Sequence, residues 1–315
     1  MGLATNPKFQ KRLIDAIKQW GTAYGSSRAA NIQLDIYAKA EAYFADKFEA
    51  EKAVSVSSGT LAGRLVIEYL QKVTDQFFHY PKTHPAILHP NSQQLFQDGK
   101  INSKLQSGSK ENVVIMVDAV LASEVSPTNF GFLDEVSSSK YVTLIVDESH
   151  SIGLCGRHGW GIFSKIQHRN ISRKIMTASL SKALGCVGGI IASDTELIED
   201  LMREPLFIGS SAMNPAYLEC IMGSEDLIKN KQSQLKKNVH FLHDRLIFNE
   251  KIKFDKNYPV LYLEGSKLFD LFLNEAIIIS SFNYPSYRGV MNRIVITANH
   301  TEDDLMRLAK VFNLL

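Results

Sequence analysis

Cysteine is scarce in this chain of 315 residues: Cys155, Cys186 and Cys220 are the only three, and no CxxC or CxxxxC pair occurs. An odd, sparse set excludes a zinc finger and a secreted disulfide framework, and the expectation is reduced thiols in a cytoplasm, with no metal site. Long apolar runs are lacking too. Stretches such as GGIIA at 188–192 fall far short of the roughly 20 residues that span a bilayer. The opening MGLATNPKFQKR has no apolar signal core, and Asn6 stands where a myristoylation signal needs Ser or Thr. Charge of one sign is missing as well. Lys and Arg number 35 against 33 Asp and Glu, a net +2, so neither nucleic acid nor an anionic membrane is called for as a partner. Small phosphorylated ligands stay open, because a local site binds them whatever the global charge. There is no repeat, no low-complexity tract and no GxxxxGK[ST] phosphate loop.

The rest reads as an ordinary globular protein, 45% hydrophobic and 22% charged. Its length suits about two domains, or one large α/β unit with an appendage. Phe9, Leu13, Ile17 and Trp20 form one apolar stripe on a helix from Asn6 to Trp20, stopped by Gly21. A second helix is expected from about Asn31 to Phe48. AVSVSS (53–58), Gly59-Thr60 and an apolar segment from Leu61 to Leu70 read as strand, tight turn and helix. NVVIMVDAV (112–120), YVTLIVDES (141–149), the start of KIMTASLSKALG (174–185) and GGIIAS (188–193) are continuous apolar runs, which predicts buried parallel strands. Helical patterns follow at 194–203 and 215–249. After Asn257 short strands (259–265, 276–282, 293–300) alternate with short helices (266–274, 301–315), predicting a smaller α+β domain. The expected division is an N-terminal helix packing with the small domain (1–20), a large domain (21–215) and a small C-terminal domain (216–315). The polar stretch 79–112 carries no clear pattern.

Four features carry chemistry. VDESHSIG (146–153) delivers Asp147 at the end of an apolar strand and His150 three residues later. Ligands in open α/β sheets gather at the carboxyl ends of the strands, where such a carboxylate holds a protonated ring nitrogen or a metal, or simply caps the next turn. In TASLSKALG (177–185), Lys182 follows Ser179 and Ser181 beside apolar strands. It is either an exposed loop lysine or a buried amine whose lowered pKa suits imine formation. SSGTLAG (57–63) places Ser58, Gly59 and Thr60 at a helix start, either a phosphate cup or an ordinary cap made by Ser57 or Ser58. Arg293 opens RIVITANH, as a strand-end arginine or a fork for a carboxylate. Anion cup, carboxylate, lysine and arginine, in that order, are what a pyridoxal-phosphate site on a doubly wound sheet requires.

These residues resemble a known family. DESHSIGLCGRHGWG (147–161) is similar to the D-[DE]-A-H-[GS]-x-G-x-x-G-x-x-G-x-G stretch of the α-oxoamine synthases, with Ser149 where Ala is usual. TASLSKALG resembles T-x-[ST]-x-x-K-[AG]-x-G, AYGSSRAANIQLDIYAKAEAYFADKF (23–48) the G-[ST]-x-x-S-R…L-E stretch, and MNRIVITANHTEDDLMRL (291–308) the R-[LI]-R-[LIV]-x-[LIV]-[ST]-A-x-H-T terminus. The resemblance implies a fold-type I pyridoxal-phosphate-dependent transferase, α/β with a large, mostly parallel sheet and a small C-terminal α+β domain. It implies Lys182 as the Schiff-base lysine, Asp147 on the pyridine nitrogen and His150 on the phenolic oxygen. Ser58, Gly59, Thr60 and Ser179 would hold the phosphate and Arg293 the amino acid carboxylate. His84 in KTHPAIL (82–88) would stack on the ring, with His89 as competitor. IGSSAMNPA (208–216) implies a homodimer with shared active sites, in which Ser211, or Ser210 beside it, reaches the neighbour's phosphate.

The implied activity is condensation of an amino acid with an acyl-CoA thioester. The alternatives are an aminotransferase that uses no coenzyme A and a cofactor-binding protein with impaired turnover. The departures concern the acyl pocket. MGLATNP resembles an internal family element, [YN]-L-G-L-x-x-[HN]-P, which implies a shortened N-terminus, and 121–131 (LASEVSPTNFG) lacks the usual S-M-x-G-[DE] turn.

Overall fold

The computed structural model describes residues 1–265, 267–283 and 289–314. Ser266 and Leu315, expected as helix ends, lie outside the described residues. Helix α1 (Pro7–Trp20) starts where the Asn6 side chain accepts the Lys8 and Phe9 N–H groups, and Gly21 closes it at φ 81°. Helix α2 covers Asp35–Phe48, later than the sequence pattern implied. Gln33 explains the delay, because its amide donates to the Arg28 and Ala30 carbonyls and holds the preceding turn.

The strands in chain order are β1 (Lys52–Val56), β2 (Phe77–His79), β3 (Gln93–Gln94), β4 (Phe96–Gln97), β5 (Lys100–Ile101), β6 (Glu111–Asp118), β7 (Lys140–Asp147), β8 (Ile171–Ser179) and β9 (Gly189–Ser193), then β10 (Ile252–Lys253), β11 (Val260–Leu263), β12 (Ser280–Asn283) and β13 (Val290–Val295). Seven form one sheet in the order β1-β9-β8-β7-β6-β2-β3, and β10-β11-β13-β12 form a second, antiparallel sheet. β8, β7, β6, β2 and β3 pair in parallel. β9 is a correction to the expected parallel set: it runs antiparallel to both β1 and β8. Only residues 180–188 join β8 to β9, too few for the crossover of a dozen or more residues that a parallel return needs.

The large sheet is buried on both faces, and side chains alternate between them. Val113, Ile115 and Val117 of β6 enter one core with Ile36, Tyr37 and Phe44 of α2. Val114 and Met116 enter the other with Ala62, Leu65 and Val66 of helix α3 (Gly59–Leu70). Burial on both sides explains why these strands read as unbroken apolar runs. A buried cluster fixes the approach to α3: Arg28 pairs with Glu41 at 2.9 Å, and Glu41 accepts the Ser55 N–H and hydroxyl, each at 2.8 Å.

Two further expectations are corrected. The pattern at 215–249 is two helices, Pro215–Met222 and Glu225–His243, broken at Gly223-Ser224. Strand structure in 276–282 begins only at Ser280, because Ala276 and Ile277 spend their N–H groups closing the preceding helix onto Leu273 O and Phe272 O. Helix α1 lies against the helix Pro215–Met222, and Arg12 pairs with Asp226 at 2.8 Å. Among the described residues no helix is long and apolar enough to cross a membrane.

Candidate active site

Parallel strands bring their carboxyl ends to one rim. There Asp118 of β6 pairs in register with Asp147 of β7, and Asp147 with Thr177 of β8. Val117, Val146, Met176 and Ala178 belong to the core on the α2 side, so strand alternation turns this polar row toward the α3 side. All three are buried; Asp147 is 7% exposed and Asp118 2%. The Thr177 hydroxyl has no hydrogen-bond partner among the described residues.

Beyond the row the chain makes two turns that interlock. Asp147 Oδ1 accepts the Ser149 N–H at 2.8 Å, and Ser149 Oγ accepts the Ser179 N–H at 2.8 Å. Ser179 shares a 2.8 Å hydroxyl contact with Ser181, one residue before Lys182. Lys182 remains open to solvent and makes no hydrogen bond or ion pair among the described residues. Protein packed around it lowers its pKa, the Asp147 and Asp118 carboxylates oppose that shift, and Arg293 adds to it. Lysine, carboxylates and arginine from four separate segments therefore share one field.

The helix start joins the same cluster. Ser58 caps α3 by accepting the Leu61 N–H at 3.1 Å, leaving the Gly59 and Thr60 N–H groups without intrahelical acceptors. A Cβ on Gly59 would stand 2.6 Å from Ser179 Cβ, and one on Gly189 would stand 2.2 Å from Ser58 O. Only glycine admits this approach, so the cup is pressed against the lysine-bearing turn. The reversed strand β9 supplies Gly189, a contact that sequence spacing did not disclose.

The histidines differ in their contacts. His150 Nδ1 lies 3.2 Å from Val120 O, so its proton sits there and Nε2 is the free nitrogen. Burial, then the Lys182 ammonium, pushes its pKa down to about 4. His84 is half-buried, and its pKa is lowered by burial; Asp147 raises it and Lys182 lowers it. Its Nδ1 accepts the Ala86 N–H, and its own N–H donates to Asp118 Oδ1 at 3.1 Å. His89 instead stacks on Phe77 with ring centroids 4.2 Å apart.

Arg293 lies on β13 opposite Tyr262 of β11. The Tyr262 phenol, whose pKa burial raises and Arg293 opposes, donates to Ala122 O. The buried Nε of Arg293 has no partner, and no carboxylate pairs with it among the described residues. The segment 121–131 thus borders the site, with the Thr128 hydroxyl donating to Asp118 O at 2.7 Å. Ser211 is exposed, and Ser210 donates to Leu206 O in its own helix. A cavity of about 640 Å³ between residues 125–127, 153–159, the helix Glu225–His243 and 255–259 includes none of these groups; Tyr258, on its wall, donates to His150 O at 3.0 Å.

Pyridoxal 5'-phosphate, implied by the resemblance, fits this donor set. A free amine stands in the field of a strand-end carboxylate, helix-start N–H groups are unclaimed, and the buried Thr177 and Arg293 polar atoms lack partners that a polar cofactor and its substrate would supply. Sequence reasoning missed Asp118, although NVVIMVDAV ends an apolar strand on a carboxylate just as YVTLIVDES does. It also missed Thr177, Tyr262 and Gly189, for which only Thr177, inside the lysine motif, had any signal.

The profile of the aminotransferase class I and II family matches residues 128–312. An 8-amino-7-oxononanoate synthase of Petrotoga mobilis is 26% identical over 97% of this chain and 83% of its own length. One of Lysinibacillus sphaericus is 24% identical over 99% and 85%. Among solved structures, a serine palmitoyltransferase of S. paucimobilis with PLP and myriocin bound superposes with TM-score 0.81 at 17% identity, covering 99% of this chain and 84% of that one. The 8-amino-7-oxononanoate synthase of Francisella tularensis does so with TM-score 0.71 at 22% identity, covering 99% and 94%. These two likenesses show the fold, that of fold-type I pyridoxal-phosphate transferases.

Proposed function

This chain belongs to the aminotransferase class I and II family, and from that premise we propose that it is a pyridoxal-phosphate-dependent acyltransferase joining an amino acid to an acyl-CoA thioester, as an 8-amino-7-oxononanoate synthase does. The observation that carries the reading is the convergence of Lys182, Asp147 and Arg293: an unpaired amine, a buried strand-end carboxylate and a guanidinium free of carboxylates, all in one electrostatic field.

When bound, the cofactor supplies an electron sink for negative charge developing at the amino acid's α-carbon. Lys182 is the attachment point, and its lowered pKa favours the neutral amine that attachment needs. The same amine would be the group placed to take the α-proton of the amino acid. Asp147 would keep a proton on the ring nitrogen, through the carboxylate oxygen that Ser149 does not occupy. His150, uncharged and with Nδ1 committed to Val120 O, offers Nε2 to the ring's phenolic oxygen. His84 would stack on the cofactor ring. Ser58, Gly59, Thr60 and Ser179 cradle the phosphate. Arg293 clamps the substrate carboxylate. Ser211, with Ser210 beside it, serves the second subunit of a homodimer.

The test is a spectral titration of the cofactor-loaded protein with the twenty amino acids, followed by acyl-CoA thioesters with thiol release as the readout. Thiol release that needs an amino acid and no keto acid supports the reading. Amino-group exchange with a keto acid, without thiol release, makes the chain an aminotransferase. Bound cofactor with neither reaction leaves a binding protein. The shared site is tested by dilution: cofactor affinity unchanged in a proven monomer refutes it.

A further inference from the structure

We propose that Ser149 is a positioning residue that holds the turn carrying Lys182 at a set distance from Asp147. The inference rests on the cofactor reading above and concerns the position where the similar motif carries alanine.

β7 and β8 are held in step by backbone bonds as far as Glu148, whose N–H donates to Thr177 O at 2.8 Å. Past that point β8 turns toward β9, and the next group in line, the Ser179 N–H, meets the Ser149 hydroxyl oxygen at 2.8 Å. One side chain thus extends the ladder by a rung beyond the strands. The same residue's N–H donates to Asp147 Oδ1 at 2.8 Å. Ser149 is therefore tied at one end to the carboxylate meant for the ring nitrogen. At the other end it is tied to the residue three before the lysine. Ser179 is also where Gly59 presses in, at a separation that leaves no room for a Cβ, so a shift of Ser179 moves the phosphate cup and the lysine turn together.

An alanine would keep the Ser149→Asp147 backbone bond and remove only the acceptor, leaving the Ser179 N–H without its partner. The span between Asp147 and Lys182, which one aromatic ring has to bridge, would lose its brace. Because the carboxylate's own hydrogen bond survives, Ser149→Ala separates the brace from the charge.

The experiment compares wild type, Ser149→Ala and Ser149→Thr, which restores the hydroxyl. In cofactor-free protein, amide hydrogen exchange at Ser179 is expected to run about five- to tenfold faster in Ser149→Ala, as loss of one net hydrogen bond implies. In loaded protein, the pH midpoint of the bound cofactor's absorbance is expected to move by about half a unit or more, with about fivefold weaker cofactor binding. Ser149→Thr should return both toward wild type. Faster exchange with an unmoved midpoint and unchanged affinity overturns the positioning role and leaves a purely structural bond. Unchanged exchange overturns the brace itself. Wild-type protein that shows no lysine-linked absorbance sinks the cofactor reading and this role with it, a failure that the wild-type control distinguishes from the other two.

Discussion

Asp118 and Asp147 face each other in register at the ends of two adjacent parallel strands, both buried, with the Lys182 ammonium in the field of both. Two carboxylates so placed resist sharing a double negative charge. Burial, then the neighbouring Asp147, drives the Asp118 pKa well above the usual carboxylate range, and Asp118 Oδ1 accepts the His84 N–H. Asp118→Asn, which keeps the shape without a charge, should leave turnover within about threefold, whereas Asp147→Asn should cost on the order of 100-fold or more. Steady-state kinetics of the two variants decide it. Equal losses would mean that both carboxylates act as charges.

The borohydride experiment addresses Lys182 directly. Loaded wild-type protein should be yellow, and reduction should fix the cofactor to Lys182 in a mass map of the peptides. Lys182→Ala should bind the cofactor without fixing it and show no turnover. Label on another lysine would remove the premise of the site.

Gly59 carries a steric prediction. Its Cβ would stand 2.6 Å from Ser179 Cβ and 2.8 Å from Ser179 Cα, so Gly59→Ala forces the helix start away from the lysine turn. Overpacking of this kind costs about 1–3 kcal/mol. The expected outcome is cofactor affinity lowered by about 10- to 100-fold in an equilibrium titration, with the fold retained by circular dichroism.

The two histidines should part company. His84→Ala should shift the bound cofactor's absorbance and weaken binding, because His84 shares a field with Lys182 and Asp147. His89→Ala should leave the spectrum alone and lower stability by about 1 kcal/mol through the lost Phe77 stacking. Thermal melts and spectra on the same samples separate the two.

Glu148 sets a pH dependence of stability. Its carboxyl accepts from Ser151 and Ile162, and burial lifts its pKa to about 7. Between its usual value and about 7 the folded protein retains a proton that the unfolded chain has released. Its contribution is therefore fully present below the unfolded pKa and is lost as pH rises through about 7. Glu148→Gln removes this loss. Melting temperatures of the cofactor-free variant should change less than wild type from pH 5 to 8, the difference reaching on the order of 2–3 kcal/mol. Parallel curves would place the proton elsewhere.

Much of this molecule is written in local pattern. Apolar strands ending on Asp147, a capped helix after Ser58, and a lysine among small residues are properties of neighbouring positions, because periodicity and capping act over a few residues. So the α/β class, the strand-end carboxylate and the helix-start cup were legible from order alone. The reversal of β9, the press of Gly59 and Gly189 against their neighbours, and the link from Ser149 to Ser179 join positions that lie far apart along the chain. They follow from packing the sheet, and no period records them. His84 and His89 show the same divide. Both sit in one short histidine-bearing stretch with similar neighbours, and only the folded chain places Asp118 behind one and Phe77 beside the other. Local residues chose the elements, and long-range burial and charge chose which of their polar groups meet.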